Sequence, residues 1–185
     1  MAPLPTVWQT VGPFFHLGQD WLNSADIATG AAGERITIAG RVLDGDGLPV
    51  PDAMIEIWQA NAEGRYAHPE DRQNKPLDPG FTGFARIKTD DQGKFQLTTI
   101  KPGAVPAPGG GPQAPHIVVG VFGRGLLKRL VTRIYFSDEP ANADDRVLDL
   151  VPAERRPTLI AQKASGGYQW DIVLQGERET VFFDC

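Results

Sequence analysis

Apolar and polar side chains alternate in short runs along this chain, and most runs close at Gly, Pro or Asp. A period of two sends successive side chains to opposite faces of a strand and does not fit a helix. Ile36 and Ile38 alternate with polar neighbours, the segment DGDGLP turns the chain, and Met54 to Trp58 resumes an apolar run, so these two runs read as a hairpin-like pair. Ala85 to Lys88 and Phe95 to Thr98 bracket TDDQG and read as a second hairpin. His116 to Gly123 and Leu130 to Phe136 follow, and Tyr168, Trp170, Ile172 and Leu174 alternate in a last long strand before the short apolar end Thr180 to Phe183. Between them, residues 141–162 carry Pro152 and Pro157 and suit short helical turns on the surface. The expected fold is all-β: an antiparallel β-sandwich with long loops.

A chain of 185 residues is long enough for one domain with a sizeable core. We place that domain at residues 34–185 and treat 1–33 as an N-terminal arm. Trp8, Phe14, Phe15 and Trp21 cluster around Gly12-Pro13 without helical or alternating period. So much aromatic surface on an irregular segment calls for a cover, and the arm is expected to pack on a partner chain. The net charge of -5 and the lack of a Lys/Arg run argue against nucleic acid or an anionic membrane as partner. No window approaches the roughly 18 apolar residues of a membrane span, and the start lacks the pattern of a secretory signal, so a cytoplasmic location is expected. The single cysteine, Cys185, offers neither an intrachain disulfide nor a Cys-based zinc site.

Two loops invite a search for chemistry. Residues 61–83 form a stretch too long to be mere connection, carrying Tyr66 and His68, and the Pro/Gly-rich segment 102–115 delivers His116 to a strand start. The three histidines, at 16, 68 and 116, share no metal-ligand spacing. Tyr66 and His116 could meet across the mouth of the sandwich, and a phenolate suits ferric iron, but such a site needs about four protein ligands. Each also has a plain structural reading, as a half-buried tyrosine and a loop-anchoring histidine. Arg133, in mid-strand between Val131 and Tyr135, would be costly to desolvate alone and should meet a carboxylate, either in a salt bridge or on an acidic ligand. Asp78, Asp90, Asp91, Asp144 and Asp145 read as turn formers or solvated charge.

Taken together, QTVGPFFH, IEIWQANAEGRY, TDDQGKFQLTTIKPG, APHIVVGVFGRG, TRIYF and ETVFFDC span nearly the whole chain and resemble the intradiol ring-cleavage dioxygenases. The resemblance implies a β-sandwich and an oxidoreductase that uses non-haem ferric iron, Fe(3+), and O2. In catalytic members two tyrosines and two histidines hold the iron. Tyr66 and His116 match one of each, whereas Val105 stands at the second tyrosine position and Val118 at the second histidine position. The arginine expected before the histidine strand is replaced near Gln113. These departures are those of the metal-free alpha-type chain of two-chain members. By that resemblance this chain binds no metal and joins an iron-bearing beta subunit in a hetero-oligomer of alpha-beta pairs that opens protocatechuate to 3-carboxy-cis,cis-muconate. Gly12, Pro13 and Arg133 would then bind substrate in a shared site, with no catalytic residue on this chain alone. Two rival readings are a self-sufficient enzyme with an unusual iron site from Tyr66, His116 and His68, and a β-sandwich binding module without catalysis.

Overall fold

The computed structural model describes residues 7–12, 16–18, 23–107 and 109–184. The strands are β1 (Arg35–Leu43), β2 (Met54–Trp58), β3 (Phe84–Lys88), β4 (Lys94–Ile100), β5 (Val105–Pro106), β6 (Pro112–Gln113), β7 (Ile117–Phe122), β8 (Leu130–Phe136), β9 (Ile160–Ala164), β10 (Gly167–Gln169) and β11 (Ile172–Val173). A single α-helical turn, α1 (Arg146–Asp149), and short 3-10 turns at His16–Gly18, Pro140–Asp144 and Arg156–Leu159 complete the described elements. The fold is all-β and sandwich-like, and apart from the turn at His16–Gly18 the described helical turns fall within residues 141–162 or beside them, as the prolines suggested.

One layer is β3-β2-β7-β8, joined entirely by antiparallel pairs. The other is β4-β1-β10-β9, and the short parallel pairing of Tyr135 with Ile160 and Phe136 with Ala161 links β8 to β9 at one corner. Three pairings are parallel, β1 with β10, β1 with β11 and β8 with β9, so the sheet is mixed where the layers meet.

Both expected hairpins are corrected. β1 pairs with β4, β10 and β11, and β2 pairs with β3 and β7, so DGDGLP carries the chain from one layer to the other. TDDQG likewise joins β3 in one layer to β4 in the other. The turn chemistry was read correctly, since Asp90 Oδ1 accepts from Gln92 N at 2.9 Å and Lys94 N at 2.8 Å. A turn motif fixes the reversal but not the layer that each flanking strand joins. The last long strand also divides: Trp170 N donates to Ala39 O, and Arg41 N turns to the Asp171 carboxylate at 2.9 Å. Gly40 is required beside this break, because a Cβ there would stand 1.7 Å from Trp170 O.

The core follows from the alternation. Ile36, Ile38 and Val42 of β1, Ile55 and Ile57 of β2, Ile117, Val119 and Val121 of β7, and Ile134 and Phe136 of β8 meet between the layers. Burial at roughly 1.5 to 3 kcal/mol per large aliphatic side chain makes this set the main source of stability. A second cluster, Ala114, Tyr135, Leu148, Val151 and Leu159, lies under the helical turns on the far side of β8. Residues 23–28 run along β4, with Ile27 N donating to Thr98 O and Thr98 N to Ala25 O. Trp8 is 68% exposed, with Lys128 Nζ 5.3 Å above its ring, and Thr10 Oγ1 accepts from Gly125 N at 2.7 Å.

Candidate functional site

Strand register assembles the site on the outer face of the β2-β7-β8 layer. Trp58 pairs with Val118 and Val118 with Arg133, so these three form one row across three strands. Ile117 pairs with Ile134, so the next row sets His116 beside Tyr135, their rings 5.8 Å apart. The alternation that drives Ile117, Val119, Ile134 and Phe136 into the core leaves His116, Val118, Arg133 and Tyr135 for this other face. The expectation of a meeting across the sandwich mouth is thus refined: the site is a cleft of about 550 Å³ over one layer.

Tyr66 reaches the cleft from the long loop, which is pinned at several points. Asn61 Oδ1 accepts from Glu63 N and Arg65 N at 3.1 and 2.9 Å, and its Nδ2 donates to Pro76 O at 3.0 Å. At Gly64, with φ of 78°, a Cβ would lie 1.9 Å from Ala104 O, so glycine permits the two loops to touch. Asp71 then fixes the tyrosine backbone, accepting from Tyr66 N at 2.8 Å and Gln73 N at 2.9 Å. Partial burial opposes the Asp71 charge, but these bonds together hold its carboxyl below the usual range. The Tyr66 ring stacks on Trp58 at 5.6 Å and 10°, and no hydrogen bond reaches its hydroxyl among the described residues. Burial pushes the Tyr66 phenol up, with the Arg133 charge working the other way.

His116 is buried, and its Nδ1 lies 2.7 Å from Ala114 O. A carbonyl can only accept, so Nδ1 carries the proton and Nε2 the lone pair. Burial, and then the neighbouring guanidinium, lower its pKa to about 4, so the ring is neutral near pH 7. The valines at 105 and 118 also line this cleft, Val105 from the β5-β6 hairpin and Val118 from β7. His68 stands at the rim, edge-on to Trp58 at 6.2 Å, and its Nδ1 accepts from Glu70 N at 3.2 Å. The donor set of the cleft does not fit ferric iron: Tyr66 and His116 are joined there by the methyl groups of Val105 and Val118, which carry no lone pair. Among the described residues no three His, Cys, Asp or Glu side chains form a metal cluster.

Arg133 is half-buried, and of the carboxylate sources expected for it the described residues of this chain supply none. Its Nη1 donates to Gln113 Oε1 at 2.7 Å and approaches Tyr135 Oη at 3.4 Å, and no described carboxylate forms an ion pair with it. Asp145 corrects a second expectation, for it is fully buried rather than solvated. Its Oδ2 accepts from Ala114 N at 2.7 Å, and its Oδ1 from Tyr135 Oη at 3.1 Å, Val147 N at 2.9 Å and Leu148 N at 2.8 Å. Asp145 thereby caps α1 and ties the loop before His116 to β8. The segment DDRVLDL held an N-cap signal for it, an Asp before an apolar helical turn. Gly12 is described and open to solvent and does not line this cleft, whereas Pro13 lies outside the described residues, as do Phe14, Phe15 and Trp21.

Known proteins give this geometry a context. A family model described as Dioxygenase matches residues 15–176. The chain is 44% identical over 194 residues to the protocatechuate 3,4-dioxygenase alpha chain of Burkholderia cepacia, covering 95% of each protein. It is also 43% identical over 159 residues to the beta chain of that enzyme from the same organism, covering 80% of this chain and 67% of that one. Among solved structures, hydroxyquinol 1,2-dioxygenase from Pseudomonas putida DLL-E4 superposes with a TM-score of 0.63 at 21% identity, over 94% of this chain and 67% of that one. At that identity the likeness speaks for the fold. The sandwich and the matches over most of its length agree: this chain belongs to the dioxygenase family, among the intradiol ring-cleavage enzymes.

Proposed function

We propose that this chain is the alpha subunit of an intradiol dioxygenase acting on protocatechuate, that it holds no iron itself, and that it completes a substrate site whose ferric iron belongs to a beta subunit. The observation that carries the reading is Arg133, a guanidinium in a cleft with neutral partners only. Such a group attracts an anion, and protocatechuate differs from catechol by a carboxylate. The similarity to separately named alpha and beta chains supports an alpha-beta assembly. When bound to the beta subunit, the family's iron would supply the chemistry by which O2 opens the ring. This chain's part is to orient: Arg133 holds the carboxylate, Trp58 and Tyr66 offer a flat stacked wall, and neutral His116 adds no competing charge. Gly12 and Pro13 belong to the wall of the shared site in this proposal, and the arm, residues 1–33, beside the sandwich domain, 34–185, packs on the beta subunit with the part that precedes residues 23–28, which run along β4 of this chain. A cytoplasmic location is part of the same reading, and no helix among the described residues is long and apolar enough to cross a membrane.

The test is Arg133→Ala in the alpha-beta assembly. A charge-assisted contact contributes about 1.5 to 3 kcal/mol, so protocatechuate turnover per KM should fall by one to two orders of magnitude while catechol turnover changes little. Equal losses for the two substrates would make Arg133 structural and sink the reading.

A further inference from the structure

We propose that Gln113 is a specificity-determining residue: it holds the Arg133 guanidinium in place without neutralising it, leaving the Nε–Nη2 edge for an organic carboxylate. This rests on the reading of Arg133 as a substrate-carboxylate contact. Gln113 is 7% exposed and sits in β6, whose backbone pairs with β5 at Val105. Its Nε2 donates to Pro106 O at 3.0 Å, which settles the amide orientation: a flipped amide would face oxygen to carbonyl and NH2 to guanidinium. Oε1 must therefore point at Arg133, where it accepts from Nη1 at 2.7 Å. Tyr135 Oη adds the second contact to the same Nη1. Arg133 Nε and Nη2 have no partner among the described residues, and that pair of parallel N–H groups is a fork matched to two carboxylate oxygens.

A carboxylate at position 113 would have held the guanidinium at least as firmly. It would also have cancelled the charge that an incoming anion needs, because a closed ion pair gains little from a second carboxylate. The amide separates these two effects: it holds the guanidinium without an ion pair, in a cleft whose lining carboxylates, Glu70 and Asp71, form none with it. The same argument names the ligand class: a planar organic monocarboxylate approaching side-on, rather than a neutral diol.

The experiment compares Gln113→Glu with Gln113→Leu in the alpha-beta assembly, reading the ratio of kcat/KM for protocatechuate to that for catechol, with thermal unfolding of each variant as a control. Gln113→Glu keeps the shape and closes the ion pair, and it gives up the bond to Pro106 O just as Gln113→Leu does, so the ratio should fall on the order of 10- to 100-fold, as for Arg133→Ala. Gln113→Leu loses the orienting bond but leaves the charge open, and should lower the ratio less. A structural role predicts the opposite order, with leucine the more damaging, and that order would overturn the inference. Unchanged ratios in both Gln113 variants, with Arg133→Ala still active in lowering the ratio, would overturn it as well. A ratio insensitive to Arg133→Ala would instead fell the underlying reading of the arginine, and this inference with it.

Discussion

Asp145→Asn is the most telling single change in the scaffold of the site. The carboxylate is fully buried and uses both oxygens: Oδ2 accepts from Ala114 N, and Oδ1 from Tyr135 Oη, Val147 N and Leu148 N. An asparagine has one acceptor oxygen. If that oxygen keeps the helix cap, its NH2 confronts the Ala114 N–H across 2.7 Å, donor against donor. If it turns to Ala114, the NH2 confronts the two amides of α1. Either way one charge-assisted bond is lost, at about 1.5 to 3 kcal/mol, and at least one buried donor is stranded, at about 1 to 3 kcal/mol more. The sum, about 2.5 to 6 kcal/mol, is a large share of an ordinary domain's stability and should lower the melting temperature by on the order of 10 °C. Urea unfolding of the full chain, followed by tryptophan fluorescence, reads it directly. A loss below about 1 kcal/mol at unchanged m-value would refute the reasoning, since it would mean that water or a local shift satisfies these donors at no cost.

Two further outcomes follow from the same structure. Asp138 receives hydrogen bonds from Lys163 Nζ at 2.6 Å and Tyr168 Oη at 2.9 Å, with Lys101 nearby, and the Lys163 bond foremost lowers its pKa to about 2. A carboxyl depressed on folding stabilises above its unfolded value near 3.8 and loses that contribution as pH falls from there to about 2. Discounted for solvent screening, the loss is about 1 kcal/mol. Unfolding midpoints measured from pH 5 to 2 should flatten in Asp138→Asn, and an unaltered slope would exclude this group. Elemental analysis of the chain expressed alone in iron-replete medium should give far less than one iron per chain, with no tyrosinate-iron colour, and near-stoichiometric iron would reverse the placement of Val105 and Val118.

Much of the fold was legible because burial imposes alternation. Met54 to Trp58 and Leu130 to Phe136 coincide with β2 and β8, and the inward residues of β1 and β7 are those that the period marks. Pairing was less legible. The turns after β1 and β3 carry ordinary hairpin residues, yet each crosses between layers, since layer membership depends on partners far away in sequence. Asp145 misled for a related reason: an acidic residue among acidic neighbours looks solvated until Ala114 and Tyr135 are folded against it.

The sequence by itself determined the longer strands β1 to β4, β7 and β8 and the family, because side-chain period and side-chain chemistry are local properties, whereas β5, β6 and β9 carried no such period. Only the tertiary structure decided that Trp58, Val118 and Arg133 share a row, that Tyr66 stacks beside them, and that the charge of Arg133 is met by an amide rather than a carboxylate. Register and the contact between loops 61–83 and 102–115 bring those groups together from distant parts of the chain, and neither is written in any single segment.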